Sequence, residues 1–245
     1  MGIVKDGMVI DPIIQNEIIA RVVAGNFGDQ PSQTIHSLGT IMTADGKGVR
    51  VHVGHAVDAI ILDPYGNVVL VTRRYNPGAG LSATPGGFID PVKRRDGESA
   101  VENAVVAALR EATEETGVSR RLLENAKIVP LGHRSYNRPF DIRVAWADMP
   151  GTEVKKGDFL AVSTQGFLVK THENLSRIPL KAGDDAKGVH VSKVAELVPN
   201  QFGIADHLPM IRAGQEIARR QDDIRTDLGK TSCEGPRKEF SSPDR

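Results

Sequence analysis

Blocks of apolar residues, separated by turn-forming residues, divide the central part of the chain into short predicted strands. Val, Ile and Leu dominate these blocks, and Gly, Pro, Asn and Asp lie between them, which is the pattern expected of strands joined by turns. The blocks are residues 52–63, 68–74, 127–132, 142–147, 166–170 and, leading into a turn, 189–197. The pattern predicts a sheet built over most of the chain.

One segment has a clear helical period. From Glu98 to Thr116 the apolar residues recur every three or four positions, and Gly117 follows where a helix commonly ends. A second helix is predicted from Ile204 to Arg220, although Pro209 and Gly214 interrupt its middle. Strands on both sides of a strong helix, with a later second helix, predict an α+β sandwich with a mixed sheet.

The two ends of the chain differ from its centre. Residues 1–45 contain two short β-branched runs and are predicted to form an N-terminal extension with one or two strands. Residues 46–220 form the main predicted domain. Residues 221–245 are rich in Asp, Arg, Lys and Ser and are predicted to be a disordered tail, because they carry too little apolar surface for a core.

Composition narrows the class of protein. Among 245 residues, Lys and Arg number 31 and Asp and Glu also number 31, so bulk electrostatic binding to a nucleic acid or to an anionic membrane is not expected. No apolar stretch approaches the ~18 residues of a membrane span, and the first residues do not resemble a signal peptide. The single cysteine, Cys233, excludes an intrachain disulfide. A cytoplasmic protein is expected.

Three carboxylates stand out on the predicted helix. Glu111, Glu114 and Glu115 are spaced i, i+3 and i+4, so they project from one side, and Val105, Leu109 and Ala112 are expected on the other. Like charges at this spacing repel by a few tenths of a kcal/mol per pair when exposed. A hard divalent cation such as Mg²⁺ removes that repulsion, since it prefers oxygen ligands. The alternative interpretation is an ordinary solvated helix face.

The surrounding residues favour the metal interpretation. Arg110-Glu-Ala-Thr-Glu-Glu-Thr-Gly-Val118, preceded by Pro85-Gly-Gly87, resembles the signature of the Nudix hydrolases, Gly-x5-Glu-x7-Arg-Glu-U-x-Glu-Glu-x-Gly-U, where U is aliphatic. Glu102 stands at the Glu-x7-Arg spacing from Arg110. One departure is that Gly87 lies fifteen positions before Glu102 instead of six. Either Glu102 or Glu98, in Gly97-Glu-Ser99, could therefore be the glutamate that orients Arg110.

The resemblance implies a Nudix-type α/β/α sandwich and a site for Mg²⁺, for which Mn²⁺ could substitute. It implies metal ligation by Glu111, Glu114, Glu115 and a carbonyl of Gly87 or its neighbour Gly86, with Arg110 and Glu102 in support. The implied reaction is hydrolysis of the diphosphate in a nucleoside diphosphate linked to a second group X. No catalytic role is assigned to His52, His55 or His207.

Softer resemblances point to the ADP-ribose pyrophosphatase-like subgroup, which yields AMP and a sugar phosphate from ADP-ribose, a related ADP-sugar or an NAD-type compound. They involve the segments 134–138, 183–186 and 202–207. The substrate-binding residues that they imply, together with the basic strand end at 73–74, are Arg73, Arg74, Arg134, Arg138, Asp184 and Asp185. Asp184 or Asp185 is also a candidate for the general base.

Two other functions remain open at this point. One is a housecleaning hydrolase of nucleoside triphosphates or dinucleotides. The other is a ligand-binding transcriptional regulator, which usually carries a winged-helix module after the Nudix domain; residues 221–245 are too short and too polar for one. By resemblance, a homodimer that uses residues 1–45 is expected.

Overall fold

The computed structural model describes residues 3–28, 30–75, 78–93, 99–135, 142–145, 147–184 and 186–231. The strands in these ranges are β1 (Val4–Lys5), β2 (Met8–Val9), β3 (Ile35–Met42), β4 (Gly48–Leu62), β5 (Asn67–Arg73), β6 (Ser82–Ala83), β7 (Gly86–Phe88), β8 (Pro91–Lys93), β9 (Ser99–Val101), β10 (Lys127–Ser135), β11 (Ile142–Val144), β12 (Phe159–Lys170) and β13 (Ala186–Lys193). The α-helices are α1 (Pro12–Gly25), α2 (Ala104–Thr116), α3 (Arg120–Glu124) and α4 (His207–Thr231).

Two long strands, β4 and β12, form the centre of a mixed sheet. They pair in parallel over twelve residues, from Val51 opposite Phe159 to Leu62 opposite Lys170. Antiparallel partners extend the sheet on both sides, with β10 and β11 on β12 and with β3 and β7 on β4. The predicted mixed sheet is confirmed, and each predicted block coincides at least in part with a strand.

Helices cover both faces of this sheet. Successive residues of a strand point to opposite faces, so Val57, Ala59 and Ile61 of β4 pack under α2 while Ile60 and Leu62 pack under α4. β12 divides in the same way, with Phe167 and Val169 on the α2 side and Leu168 on the α4 side. The predicted α/β/α sandwich is therefore confirmed.

The N-terminal segment contains a helix that the sequence did not predict. One of the two β-branched runs, residues 17–23, lies in α1 and not in a strand, although the predicted extension does contain strands (β1, β2 and β3). Asp11 caps α1 by accepting hydrogen bonds from the Ile13 and Ile14 amides, at 2.9 and 3.2 Å. Ile14, Ile18 and Val22 then share one face and are buried against β3 and β4. The capping residue and this four-residue period outweigh the strand preference of the β-branched residues.

α2 begins later than predicted, at Ala104 instead of Glu98. Asn103 caps it by accepting hydrogen bonds from the amides of Val105 and Val106, while residues 99–101 form β9 against β8. A cap fixes where a helix starts, and apolar periodicity alone does not.

α4 ends later than predicted, at Thr231 instead of Arg220. Pro209 lies in its first turn, where a missing amide proton removes no intrahelical hydrogen bond. Lys170 ties the continuation to β12 by donating to the Ala218 carbonyl at 3.1 Å and pairing with Asp222. Residues 221–231 of the predicted tail are thus helical, and residues 232–245 lie outside the described residues. Within the described part of the chain, no helix is long and apolar enough to cross a membrane.

α2 docks on the sheet through small side chains, which sets how close its carboxylates come to β7. Ala104, Ala107, Ala108 and Ala112 are buried against β4 and β12. We expect Ala108→Leu to destabilise the protein by about 1–3 kcal/mol, because the added volume has no space to fill. Val106→Leu, at a position 48% exposed on the same helix, is the control. Urea unfolding measures both, and equal midpoints would contradict this packing.

Candidate active site

Two of the three helix carboxylates face the sheet and not the solvent. Glu111 and Glu115 continue the row that Ala107 starts at intervals of four residues, which places them beside β7. The Glu111 side chain is only 15% exposed, whereas that of Glu114 is 60% exposed. The expectation that all three project away from the docked face is therefore wrong for Glu111 and Glu115, which lie at the border of the buried face.

The guanidinium of Arg110 joins this helix to the segment before it. Its Nε and Nη2 donate to the Glu102 carboxylate at 3.1 and 2.9 Å, and Nη2 also donates to the Phe88 carbonyl at 3.0 Å. Its Nη1 donates to Glu111 at 2.8 Å and to Glu114 at 3.2 Å. The carboxylate of Glu102 raises the pKa of Arg110, which stays charged. Glu102 is thus a partner of Arg110, and Glu98 lies outside the described residues.

Two glycines of β7 make room for the buried carboxylates. A Cβ at Gly87 would overlap the Glu111 carboxylate, and a Cβ at Gly86 would overlap the Val57 carbonyl and the Asp58 carboxylate. With no side chain there, the Gly86 amide donates to Glu115 Oε2 at 2.9 Å. The Pro-Gly-Gly sequence therefore allows the strand backbone to approach the helix carboxylates directly.

Burial makes negative charge unfavourable on the two carboxyl groups beside β7, those of Glu111 and Glu115. Desolvation raises the pKa of Glu115 to about 7, with the Gly86 hydrogen bond opposing the shift. Desolvation also raises the pKa of Glu111, and here the charge of Arg110 opposes it. Both carboxylates therefore lie where an added cation would be stabilising.

A cleft of about 200 Å³ opens on the other side of the Gly86–Gly87 backbone. Its floor is polar and buried. Thr84 Oγ1 donates to Asp58 Oδ1 at 3.0 Å, and His207 Nε2 lies 3.7 Å from Asp58 Oδ2. The Thr84 amide donates to His207 Nδ1 at 3.3 Å. Burial lowers the pKa of His207, so this histidine is neutral near pH 7.

Two arginines line the same cleft. Arg73 ends β5, and Arg143 comes from β11 with its guanidinium carbon 5.7 Å from the centre of the Phe88 ring, in cation–π contact. The cleft thus has two arginines in its walls, and the helix carboxylates lie behind its glycine backbone. Such an arrangement suits a ligand that carries phosphate groups, since one guanidinium can donate two parallel hydrogen bonds to two oxygens of a phosphate.

The other predicted substrate residues are placed differently. Arg74 is exposed and donates to the Ala186 carbonyl at 3.1 Å, outside the cleft lining. Asp184 is exposed, next to Gly183, whose amide donates to the Glu115 carbonyl at 3.2 Å at the end of α2. Arg134 lies in β10 opposite Thr164. The Arg134 side chain, Arg138 and Asp185 lie outside the described residues.

Sequence reasoning missed Arg143, Asp58 and Thr84, and it assigned no catalytic role to His207. Arg143 interrupts an apolar run with a charge, which is a hint of a function on one strand face. Asp58 likewise is a carboxylate in the buried part of β4, between the apolar residues Val57 and Ala59. Their association with Thr84 and His207 depends on the fold, since no local spacing connects these positions.

The donor chemistry of the carboxylates fits a hard divalent cation, although the side chains are not gathered around one point. Among the described residues, no three Asp, Glu, His or Cys side chains form a group that could hold a metal ion as they stand. Instead, the guanidinium of Arg110 bridges two of the carboxylates, since its Nη1 donates to both Glu111 and Glu114. Glu111 and Glu114 are therefore close enough to share one positively charged group.

Part of the chain matches a known family in a comparison with family models. Residues 53–155 match the family model of the NUDIX domain, which covers β7, α2 and the Arg110 contacts. This part of the chain is similar to NUDIX domains, as the signature resemblance predicted.

No curated protein sequence is significantly similar to this chain. Similar solved structures include the NUDIX domain of Shewanella oneidensis NrtR complexed with ADP ribose (21% identity, 67% of this chain, 87% of that chain, TM-score 0.45). A second is a bifunctional NMN adenylyltransferase/ADP ribose pyrophosphatase from Francisella tularensis (20% identity, 82% of this chain, 46% of that chain, TM-score 0.45). A third is a MutT/nudix family protein from Enterococcus faecalis (29% identity, 56% of this chain, 42% of that chain, TM-score 0.35). The chain spans less than half of the latter two, and all three are too distant to assign a substrate.

The contacts of Arg110 predict a difference in stability between two Arg–Glu pairs. Glu102→Gln should lower the free energy of unfolding by about 1–3 kcal/mol, because it removes a charged acceptor that is 10% exposed. Glu124→Gln, in the exposed Arg120–Glu124 pair of α3, should change it by less than about 0.5 kcal/mol. Denaturant unfolding of the two variants checks this, and equal losses would show that Glu102 does not support Arg110.

Proposed function

We propose that this chain is a divalent-metal-dependent pyrophosphohydrolase of a nucleoside diphosphate linked to a second group. Its substrate is ADP-ribose, a related ADP-sugar or an NAD-type compound, and its products are AMP and a sugar phosphate. The observation that carries the proposal is the meeting of two kinds of charge at the Gly86–Gly87 backbone. The α2 carboxylates lie on one side of it and the cleft with Arg73 and Arg143 lies on the other.

A diphosphate explains why both kinds of charge are present. Its negative charge suits the two arginines, which would stabilise the charge that develops on the transferred phosphoryl group. The carboxylates alone would repel it, so they need a cation between themselves and the substrate. Glu111, Glu114, Glu115 and a carbonyl of Gly86 or Gly87 would hold Mg²⁺, or Mn²⁺ in its place. When bound, such an ion neutralises the diphosphate and lowers the pKa of a water that can attack phosphorus.

The chain's own residues prepare this site. Arg110 holds Glu111 and Glu114 in place through its contacts with Glu102 and the Phe88 carbonyl. Because His207 Nδ1 accepts the Thr84 amide proton, the neutral imidazole carries its own proton on Nε2, which faces Asp58. The floor of the cleft is therefore a fixed polar surface.

Segments that resemble the ADP-ribose subgroup reach the same region. Ile204 and His207 line the cleft, and the amide of Gly203 donates to the Ser82 carbonyl at 3.1 Å. Gly183 packs against the end of α2, where a Cβ would overlap the Glu114 carbonyl. This places Asp184 beside the carboxylate helix, where it is a candidate for the base that accepts a proton from the attacking water. The position of these segments near the cleft and α2 supports an ADP-ribose-type compound as the proposed substrate.

A homodimer, a cytoplasmic location and the absence of nucleic-acid partners stay predictions of the sequence. The segment expected at the dimer contact contains β1 and the exposed side chains of Ile13 and Val23.

The protein should release AMP and ribose 5-phosphate from ADP-ribose in the presence of Mg²⁺, and EDTA should abolish this release. Chromatographic separation of the products gives the measurement. Parallel incubations with NADH, ADP-sugars, dinucleoside polyphosphates and nucleoside triphosphates define the preference. Faster turnover of triphosphates would overturn the proposed substrate, full turnover in EDTA would overturn the metal, and tight binding of ADP-ribose without turnover would favour a regulatory role.

The metal-holding role of the helix carboxylates can be tested one charge at a time. Glu114→Gln and Glu115→Gln should each lower kcat by about 10²-fold or more, because each weakens charge stabilisation that is needed mainly in the transition state. Circular dichroism should show the fold retained. Glu124→Gln on α3 is the matched control and should keep full activity. Wild-type rates for both α2 variants at saturating Mg²⁺ would show that Glu114 and Glu115 do not hold the metal ion.

A further inference from the structure

A glutamine outside the NUDIX match contacts the start of the carboxylate helix. Gln30 lies between α1 and β3, more than seventy residues before α2 in sequence. Its Nε2 donates to the Glu102 carbonyl at 3.0 Å, and its Oε1 accepts the Ala104 amide proton at 2.9 Å. Both ends of one carboxamide are therefore used on the two residues that flank the N-cap, Asn103.

These bonds complete the hydrogen bonding of the first turn of α2. Asn103 Oδ1 accepts the amide protons of Val105 and Val106, and the Asn103 carbonyl accepts that of Ala107. The Ala104 amide proton is the one in this turn that the local cap does not bind, and Gln30 accepts it. First-turn amides have no partner within their own helix, so a residue from a distant segment finishes the cap.

The same side chain fixes the backbone of Glu102. The Glu102 amide donates to the Asp90 carbonyl at 3.0 Å, its carbonyl accepts from Gln30, and its carboxylate binds Arg110. Held at these three points, Glu102 has a defined orientation toward Arg110, which in turn contacts two candidate metal ligands, Glu111 and Glu114.

The segment that carries Gln30 is itself anchored on β4. His36 Nδ1 lies 2.8 Å from His55 Nε2, and Ser32 Oγ lies 3.1 Å from His36 Nε2. The Phe27 ring packs edge-on against the His55 ring with centroids 4.9 Å apart. Contacts on both sides of Gln30 therefore connect its segment to the central sheet.

We infer that Gln30 is a positioning residue that acts through Glu102 and Arg110 on the carboxylates of α2. The inference deepens the proposed function, because it rests on Glu111 and Glu114 as metal ligands. It also gives the N-terminal segment a role in the active site, in addition to its packing on the sheet.

Binding of Mn²⁺ and turnover of ADP-ribose test this role separately. In Gln30→Ala we expect the dissociation constant for Mn²⁺, followed by electron paramagnetic resonance, to rise about tenfold, as is common when a group behind a metal ligand is removed. The kcat for ADP-ribose should fall by a similar factor while KM stays within about twofold. Gln33→Ala, at an exposed glutamine of the same segment, is the matched control and should equal the wild type in both measurements.

A second variant separates positioning from helix capping. Gln30→Glu keeps an acceptor for the Ala104 amide and adds a negative charge that a helix N-terminus favours. It loses the donor to the Glu102 carbonyl. We expect its thermal midpoint to match the wild type while its Mn²⁺ affinity and kcat fall as in Gln30→Ala. Wild-type values of both would assign Gln30 to capping alone and overturn the inference.

A double-mutant cycle with Glu102→Gln tests the route. If Gln30 acts through Glu102, Gln30→Ala should change Mn²⁺ affinity little once Glu102→Gln is present; equal factors in both backgrounds would overturn that route. A wild-type protein that binds Mn²⁺ and responds to Gln30→Ala, but leaves ADP-ribose intact, would overturn the proposed substrate and keep the role of Gln30. If the wild type hydrolyses ADP-ribose but Gln30→Ala matches it in both measurements, the proposed substrate would stand and the role of Gln30 would be overturned.

Discussion

Arg110, which directly precedes the carboxylates of α2, allows negative charge to be buried beside the sheet. Glu111 and Glu115 are drawn toward β7 because alanines bring α2 close to β4, yet burial raises the pKa of both carboxyl groups. Arg110 offsets part of this shift for Glu111 with a direct hydrogen bond, and the Gly86 amide offsets part of it for Glu115. A buried carboxylate without such partners would be protonated instead of charged. The candidate metal site therefore depends on Arg110 and on whatever holds Arg110 in place.

That dependence extends beyond the residues that match the family. Glu102 orients Arg110 from outside the helix, and Gln30 and Asp90 hold the backbone of Glu102. The N-terminal segment packs against β4 and β12 through a separate apolar cluster that includes Ile18, Val51 and Phe159. Removing this segment would expose the apolar cluster that it shares with β4 and β12 and would remove the Gln30 contacts with α2.

Local patterns in the sequence predicted the sheet, the carboxylate helix and the site residues that lie on it, since period and spacing are local properties. They failed where a distant or single contact decides the structure. α1 was read as strand because Ile and Val favour strands, but the Asp11 cap and a shared buried face make it a helix. The start of α2 was placed early because periodicity does not reveal the Asn103 cap. Arg143 and Phe88 meet across 55 positions of sequence, and such a pairing has no local mark.

The neutral total charge of the chain conceals a strong local separation of charge. Equal numbers of acidic and basic residues excluded a generally basic or acidic binding surface, and the structure places opposite charges on the two sides of one glycine backbone. Coulomb interactions in a partly buried cleft are stronger than at the surface, because less water screens them. Arg73 and Arg143 would therefore act on a phosphate-bearing ligand of the proposed kind at short range, while distant charges of either sign would contribute little. Selection of the proposed anionic substrate would depend on the few charges in the cleft walls, which composition does not reveal.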